Sequence, residues 1–176
     1  MIIEWTSPMW QDRVRIALGY PRNGWVLLAI MTAAFNQHVV IHCSDVFCPF
    51  QDIHSWLSKI HAEDLPAQVA IHEEGHWKTL LATRYELDED AIEFYIFDSP
   101  LANVAEDRPD DPLLRCRTNR LQFVKDVAEE LQRWIRDDSS PKDYGGRSFD
   151  DKDGDFEAHE YYLRRIDLGS LFKNAA

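Results

Sequence analysis

The sequence has few cysteines, few basic residues and no long apolar run, and each shortage argues against a class of protein. Three cysteines, Cys43, Cys48 and Cys116, are an odd number, which speaks against a disulfide framework. The longest apolar run, Trp25 to Phe35, is far shorter than the roughly 20 residues of a membrane-spanning helix. Glu4 stands where a signal peptide would carry lysine or arginine. We therefore expect a soluble cytoplasmic protein with no membrane partner.

Basic residues are the second shortage: 19 lysines and arginines face 31 aspartates and glutamates, for a formal net charge of −12. Such a surface repels the phosphate backbone, so we expect no nucleic-acid partner. Apolar residues make up 45% of the 176 residues and include six tryptophans and nine phenylalanines. That is enough apolar surface for one good core, so the chain has the size and composition of a single folded domain.

The first part of the chain has the pattern of three strands. Residues 13–19 alternate polar and apolar side chains, which is typical of a half-buried strand. Residues 21–24, Pro-Arg-Asn-Gly, have strong turn chemistry because Asn and Gly tolerate positive φ. Residues 25–35 then read as a strand buried on both faces, although their length leaves a helix open. Residues 38–43 are rich in β-branched side chains and predict a third strand.

Two segments repeat their apolar residues every three or four positions, as amphipathic helices do. This spacing predicts helices at about 50–62 and about 119–136. Between them, three runs with a period of two, separated by short polar turns, predict a meander of antiparallel strands. The expected fold is α+β, with about six antiparallel strands in one sheet, in the order β-β-β-α-β-β-β-α, and the helices packed on one face.

The chain divides into three parts on composition. Residues 1–138 are predicted to form the α+β domain. Residues 139–156, with Gly145-Gly146 and several aspartates, are predicted to be an acidic flexible loop. Residues 157–176 are predicted to form a C-terminal helix and tail that pack on the same domain.

Residues 72–76, His-Glu-Glu-Gly-His, match the H-E-x-x-H pattern of zinc hydrolases. On a helix this spacing places two imidazoles on one face, beside a glutamate that activates a metal-bound water. The seven residues 72–78 also resemble the His-Glu-x-Gly-His-Trp-Lys run of some membrane-linked zinc metallopeptidases. That resemblance implies zinc as cofactor, with His72 and His76 as ligands and Glu73 as general base.

The same stretch fits a hairpin better. A catalytic zinc needs a third protein ligand, and the extended pattern fails because Ala82 stands at the position of a third histidine. As a hairpin, Glu74-Gly75 is a two-residue turn in which glycine supplies positive φ. Within a helix, Gly75 would instead cost about 1 kcal/mol relative to alanine. The prediction is a hairpin turn with no metal, no cofactor and no catalytic residue.

Two further groups of side chains resemble metal ligands. Asp151, Asp153, Asp155 and Glu160 have part of the spacing of a calcium loop, but Phe149 falls where the first acidic ligand is needed. They form a weak divalent-ion candidate, and a solvated acidic loop is the preferred interpretation.

The second group mixes two histidines and two cysteines, His42, Cys43, Cys48 and His54. Its Cys-x4-Cys spacing departs from that of zinc fingers. Buried thiols and a polar helix surface explain these residues equally well.

The predicted function follows from the negative charge and the incomplete catalytic motifs. Acidic runs at 86–90, 106–111 and 150–157 suggest a negative face that steers a basic protein. The leading hypothesis is a non-enzymatic interaction protein that neutralises a basic protein partner in the manner of bacterial immunity proteins. The alternative is a zinc-dependent hydrolase using His72, Glu73 and His76. A third hypothesis is a structural subunit that pairs with itself, and the sequence leaves the oligomeric state open.

Overall fold

The computed structural model describes residues 13–32, 37–99, 111–137 and 144. These residues form seven strands and two helices, in the order β-β-β-α-β-β-β-β-α. The elements are β1 (Val14–Leu18), β2 (Trp25–Thr32), β3 (His38–Ser44), α1 (Phe50–His61), β4 (Ala67–His72), β5 (Trp77–Arg84), β6 (Ala91–Phe97), β7 (Leu114–Asn119) and α2 (Arg120–Arg136).

The strands form two antiparallel sheets. One has the order β1-β2-β3 and the other has the order β4-β5-β6-β7. The α+β class with antiparallel strands is therefore confirmed, whereas the single sheet of about six strands is wrong. The additional strand is β7, in which buried Leu114, Cys116 and Thr118 alternate with two arginines.

The first two strands are joined by the predicted Asn23-Gly24 turn. Both residues have positive φ, 52° and 79°. Arg22 and Trp25 exchange backbone hydrogen bonds across the turn, at 2.8 and 3.0 Å. A Cβ on Gly24 would lie 2.7 Å from the Asp45 carboxylate, so glycine is required here for space as well as for conformation.

Both helices bury their apolar faces in one core shared with the inner faces of the two sheets. Aromatic side chains connect the two helices with the four-stranded sheet. The Trp56 ring of α1 lies 6.1 Å from the Phe94 ring of β6 and 5.7 Å from the Phe123 ring of α2. The periodicity that predicts helices at 50–62 and 119–136 is confirmed by α1 and α2. None of the helices among the described residues has the length and apolar character needed to cross a membrane.

The helix ends are held by polar side chains. The Asn119 carboxamide accepts the Gln122 N–H at 2.9 Å and caps the start of α2. At the end of α1, the Arg120 guanidinium donates to the carbonyls of Ile60 and His61 and pairs with Glu63 at 2.6 Å. Arg120 therefore satisfies carbonyls that the last helical turn leaves unpaired.

The break between the two sheets has a physical reason. At the edge of β3, the hydrogen-bond acceptor is a side chain and not the backbone of β4. Glu73 Oε1, just beyond β4, accepts the backbone N–H of His42 at 2.6 Å. Ser44 Oγ donates to Glu74 Oε1 at 2.6 Å. Glu73 thus takes one backbone N–H at the β3 edge, where the three-stranded sheet ends, and Glu74 holds the hairpin tip beside that edge through a side chain.

Tyr144 lies within the predicted loop 139–156 and is fully buried. Its hydroxyl donates to the Ser44 carbonyl at 2.5 Å, and its ring lies 5.4 Å from Phe50 and 5.6 Å from Trp134. The rest of that loop and the predicted tail 157–176 lie outside the described residues. The domain boundaries stay predictions.

Candidate functional site

The stretch that carries the H-E-x-x-H pattern is a tight hairpin between β4 and β5. Its two turn residues, Glu74 and Gly75, have φ values of 49° and 119°. The Glu73 N–H donates to the His76 carbonyl at 2.8 Å and closes the turn. The predicted hairpin with Glu74-Gly75 at its tip is confirmed.

The hairpin separates the two histidines of the motif. His72 lies opposite Trp77, and the next pair along the ribbon joins Glu73 with His76. Successive residues of a strand point to opposite faces, so His72 and His76 lie on opposite faces of the ribbon. The i, i+4 helical arrangement that the zinc alternative requires is therefore not the one this segment adopts.

The Glu73 carboxylate is engaged on both oxygens. Oε1 accepts the His42 N–H, and Oε2 lies 2.9 Å from Lys78 Nζ, which also contacts Asp98 at 2.7 Å. Desolvation lowers the pKa of Lys78, but the hydrogen bonds to Asp98 and Glu73 raise it by more, so its pKa lies above the ordinary value. The hydrogen bond from Lys78 holds the pKa of Asp98 below its usual value.

Beside this ion pair lies a group of aromatic rings. The His72 imidazole sits between Phe47 and Trp77, with ring centroids 4.1 and 4.5 Å away and both neighbours edge-on. Its Nδ1 is buried and makes no hydrogen bond to the part of the chain that is described. Phe47 remains 47% exposed and Trp77 36% exposed, and Val46 beside them is 52% exposed. We call Val46, Phe47, His72 and Trp77 the hairpin surface.

Carboxylates lie near the hairpin surface, but Glu73 and Asp98, which share Lys78, are on the opposite face of the ribbon from His72 and Trp77. Asp45 precedes Val46 in the sequence, Glu73 lies beside the turn, and Glu74 lies in it. Asp98 contacts Lys78. These four carboxylates outnumber the one lysine beside them, which leaves the region negative. The hairpin therefore carries exposed aromatic rings on one face and the Glu73–Lys78–Asp98 cluster on the other.

The mixed histidine and cysteine group does not converge on one point. His42 and Cys43 are consecutive in β3 and point to opposite faces, with His42 exposed and Cys43 in the core. Burial raises the pKa of Cys43, and burial raises the pKa of Cys48 to about 11. His54 lies on α1. The raised pKa values disfavour the thiolate that a nucleophile or metal ligand needs, which suits structural cysteines.

The remaining metal candidates, Asp151, Asp153, Asp155 and Glu160, lie outside the described residues. Within the described ranges, three or more His, Cys, Asp or Glu side chains nowhere group in a way that could hold a metal ion. Comparisons with protein families, with curated proteins and with solved structures find no match to this chain.

Sequence reasoning missed the exposed rings at the hairpin. Aromatic residues usually predict a core position, and Phe47 and Trp77 have no local signal of exposure. The one available hint was the position of Trp77 two residues beyond the Gly75 turn. Lys78 and Asp98 were missed because their pairing joins different strands.

Proposed function

We propose that this chain is an interaction protein that binds a basic protein partner, with the hairpin surface as its contact site. The observation that carries the proposal is the pair of exposed rings, Phe47 and Trp77, packed against His72 on a hairpin whose turn and opposite face carry carboxylates. Neutralising the bound partner, as immunity proteins do, is the form of this function that the charge favours.

The aromatic rings suit an anchor at an interface. Tryptophan and other aromatic residues dominate binding energy because they bury large apolar area and have few rotamers to fix. Here the contact between His72 and both rings, together with the tight turn at Gly75, limits their motion before a partner arrives. Little conformational entropy is then lost on binding.

The carboxylates of the hairpin favour a basic partner. Lysine or arginine side chains can lie over the exposed faces of Phe47 and Trp77 and pair with Glu74 at the turn. The net charge of −12 adds long-range attraction, which speeds the encounter with a positively charged protein.

A peptide binding experiment tests the proposal. The probes are an array of synthetic peptides that each combine lysine or arginine with one aromatic or aliphatic residue, and a matched array with glutamate in place of the basic residues. We expect binding of basic peptides only, weakening as salt rises from about 0.05 M to about 0.5 M. Trp77→Ala and Phe47→Ala should each weaken it by about ten-fold or more.

The matched control is Leu87→Ala, because Leu87 is also exposed but lies in the turn at the far end of β5. This variant should bind like the wild type. Equal binding of basic and acidic peptides would refute the partner class. Unchanged binding by both ring variants would refute the hairpin surface as the contact site.

A further inference from the structure

The outer face of the β1-β2-β3 sheet differs from the rest of the surface. Alternate residues of its strands point away from the core, and three of them are large, apolar and exposed: Leu27 (47%), Met31 (37%) and Val40 (40%). Ala17 and Ala29 pair across β1 and β2, and Ala29 also pairs with Val40, so the apolar side chains are contiguous. We call these five residues the apolar face.

Polar residues on this side of the sheet are neutral or basic. Arg15, His38 and His42 flank the apolar face, and Trp25 completes its end beside His42. The outward-pointing residues of β1, β2 and β3 include no aspartate or glutamate. The exposed carboxylates among the described residues lie instead on the helices, the hairpin tip and the loops.

We propose that the apolar face is the contact between two copies of this chain. A net charge of −12 keeps copies apart wherever their carboxylates would meet. Because β1, β2 and β3 place no carboxylate on this face, two copies can approach along it without bringing strand carboxylates together, and contact removes Leu27, Met31 and Val40 from water. Stacking of the same face of both copies gives a closed, two-fold dimer.

The size of the face sets the strength of the dimer. The 5, 8 and 7 residues of β1, β2 and β3 at about 3.4 Å each, with strands about 4.8 Å apart, give a flat footprint of about 330 Å² per copy. Two such footprints with their side-chain relief bury on the order of 1,000 Å², which is the lower limit for a specific interface. We therefore expect a weak dimer with a Kd on the order of tens of micromolar.

Sedimentation velocity of the full chain tests this proposal, over concentrations from about 5 μM to about 500 μM. The weight-average mass should rise from the monomer value of 20.6 kDa towards twice that value. Leu27→Glu places two carboxylates in the contact and should raise the Kd by about ten-fold or more. Leu27→Gln, which removes apolar area without adding charge, should raise it by a smaller factor.

The matched control is Leu87→Glu, which adds the same charge at an exposed leucine outside the apolar face. Its Kd should stay within about two-fold of the wild type. Raising the salt to about 1 M should strengthen the dimer, because salt screens the residual repulsion, whereas it should weaken binding of a basic partner. Opposite salt responses make the two proposals separable.

Three results would overturn the dimer. The first is a monomer at every concentration, which would also be the result if another segment or a different protein covers the face. The second is a dimer that Leu27→Glu leaves intact. The third is an equal loss of association in Leu27→Glu and Leu87→Glu, since added charge alone would then explain it.

Discussion

The two edges of the three-stranded sheet are covered by the same chemistry. At β1, Glu130 Oε1 accepts the Leu18 N–H at 2.6 Å and pairs with Arg133. At β3, Glu73 Oε1 accepts the His42 N–H at 2.6 Å and pairs with Lys78. In both places a carboxylate takes the edge N–H that a further strand would have used, and a cation balances its charge.

The support behind the two carboxylates differs. Glu130 belongs to α2, which also sends the Arg133 guanidinium to the Leu18 carbonyl at 3.2 Å and Trp134 Nε1 to the Gly19 carbonyl at 3.1 Å. Glu73 belongs to a hairpin tip that is exposed on its outer side. Opening the β1 edge therefore requires a core helix to move, whereas the β3 edge can open locally.

The largest expected effect is at the β1 edge. Glu130→Ala leaves the Leu18 N–H and Arg133 without their shared acceptor, so the free energy of unfolding should fall by about 2–3 kcal/mol. Guanidinium chloride denaturation of the variant and the wild type measures this difference in the free energy of unfolding. Glu129→Ala is the control, because Glu129 is exposed on the same helix and its pair with Lys125 is 3.9 Å long. That variant should lose less than about 0.5 kcal/mol, and equal losses would contradict the special role of Glu130.

The β3 edge should show a smaller and more local effect. Glu73→Ala removes the acceptor of the His42 N–H, while Lys78 keeps Asp98, so we expect a loss of about 1–2 kcal/mol. Hydrogen exchange of the His42 amide should accelerate and that of Leu18 should not.

Glu74→Ala is the matched variant at the same tip. It removes the contact with Ser44 but leaves the acceptor of the His42 N–H in place. Its His42 amide should exchange at the wild-type rate. Acceleration at Leu18 in Glu73→Ala would show that the two edges open together and would remove the distinction between them.

Local pattern was enough for both helices and six of the seven strands, but not for their assembly. Helical periodicity predicts both helices to within two residues, and the need for positive φ at Gly24 and Gly75 locates both hairpin turns. At the boundary between the two sheets, Glu73 reaches His42, 31 positions away in sequence. Such a contact leaves no periodic signal. The expected order omits strand β7, although Leu114, Cys116 and Thr118 alternate with polar residues as a half-buried strand does.

The candidate site was less predictable than the fold. The string His-Glu-x-x-His has the same letters in a helix and in a hairpin, and only the chain around Gly75 distinguishes the two. The exposure of Phe47 depends on how the loop after β3 meets the hairpin tip, since its ring packs on His72. Exposure of this kind is a tertiary property.

The stabilising contribution of Glu130 at the β1 edge should be lost in acid. Desolvation raises the pKa of Glu130, but the hydrogen bonds from Arg133 and the Leu18 N–H lower it by more, so its pKa lies below 4.5. A lowered pKa contributes stability above the unfolded value that is lost as pH falls through the folded value. From about pH 6 to about pH 3, Glu130→Gln should therefore approach the wild type in stability.

Thermal denaturation across this pH range measures the gap between the two proteins. Glu129→Gln, on the same helix, is the control and should run parallel to the wild type. A gap between Glu130→Gln and the wild type that stays constant down to about pH 3 would mean that Glu130 contributes nothing to the acid sensitivity.

The smallest expected effect concerns zinc at the β3 edge. Glu73 uses both oxygens in holding His42 and Lys78, and the hairpin points His72 and His76 to opposite faces. We expect elemental analysis of untagged protein, dialysed against zinc, to give the same metal content for the wild type, His72→Ala and the control His54→Ala, whose imidazole lies on α1. One zinc per chain in the wild type and in His54→Ala, lost in His72→Ala, would mean that the tip rearranges to bring the histidines together. Zinc would then control the β3 edge. Its carboxylate would accept the edge N–H, as Glu130 does at β1, only in the metal-free state.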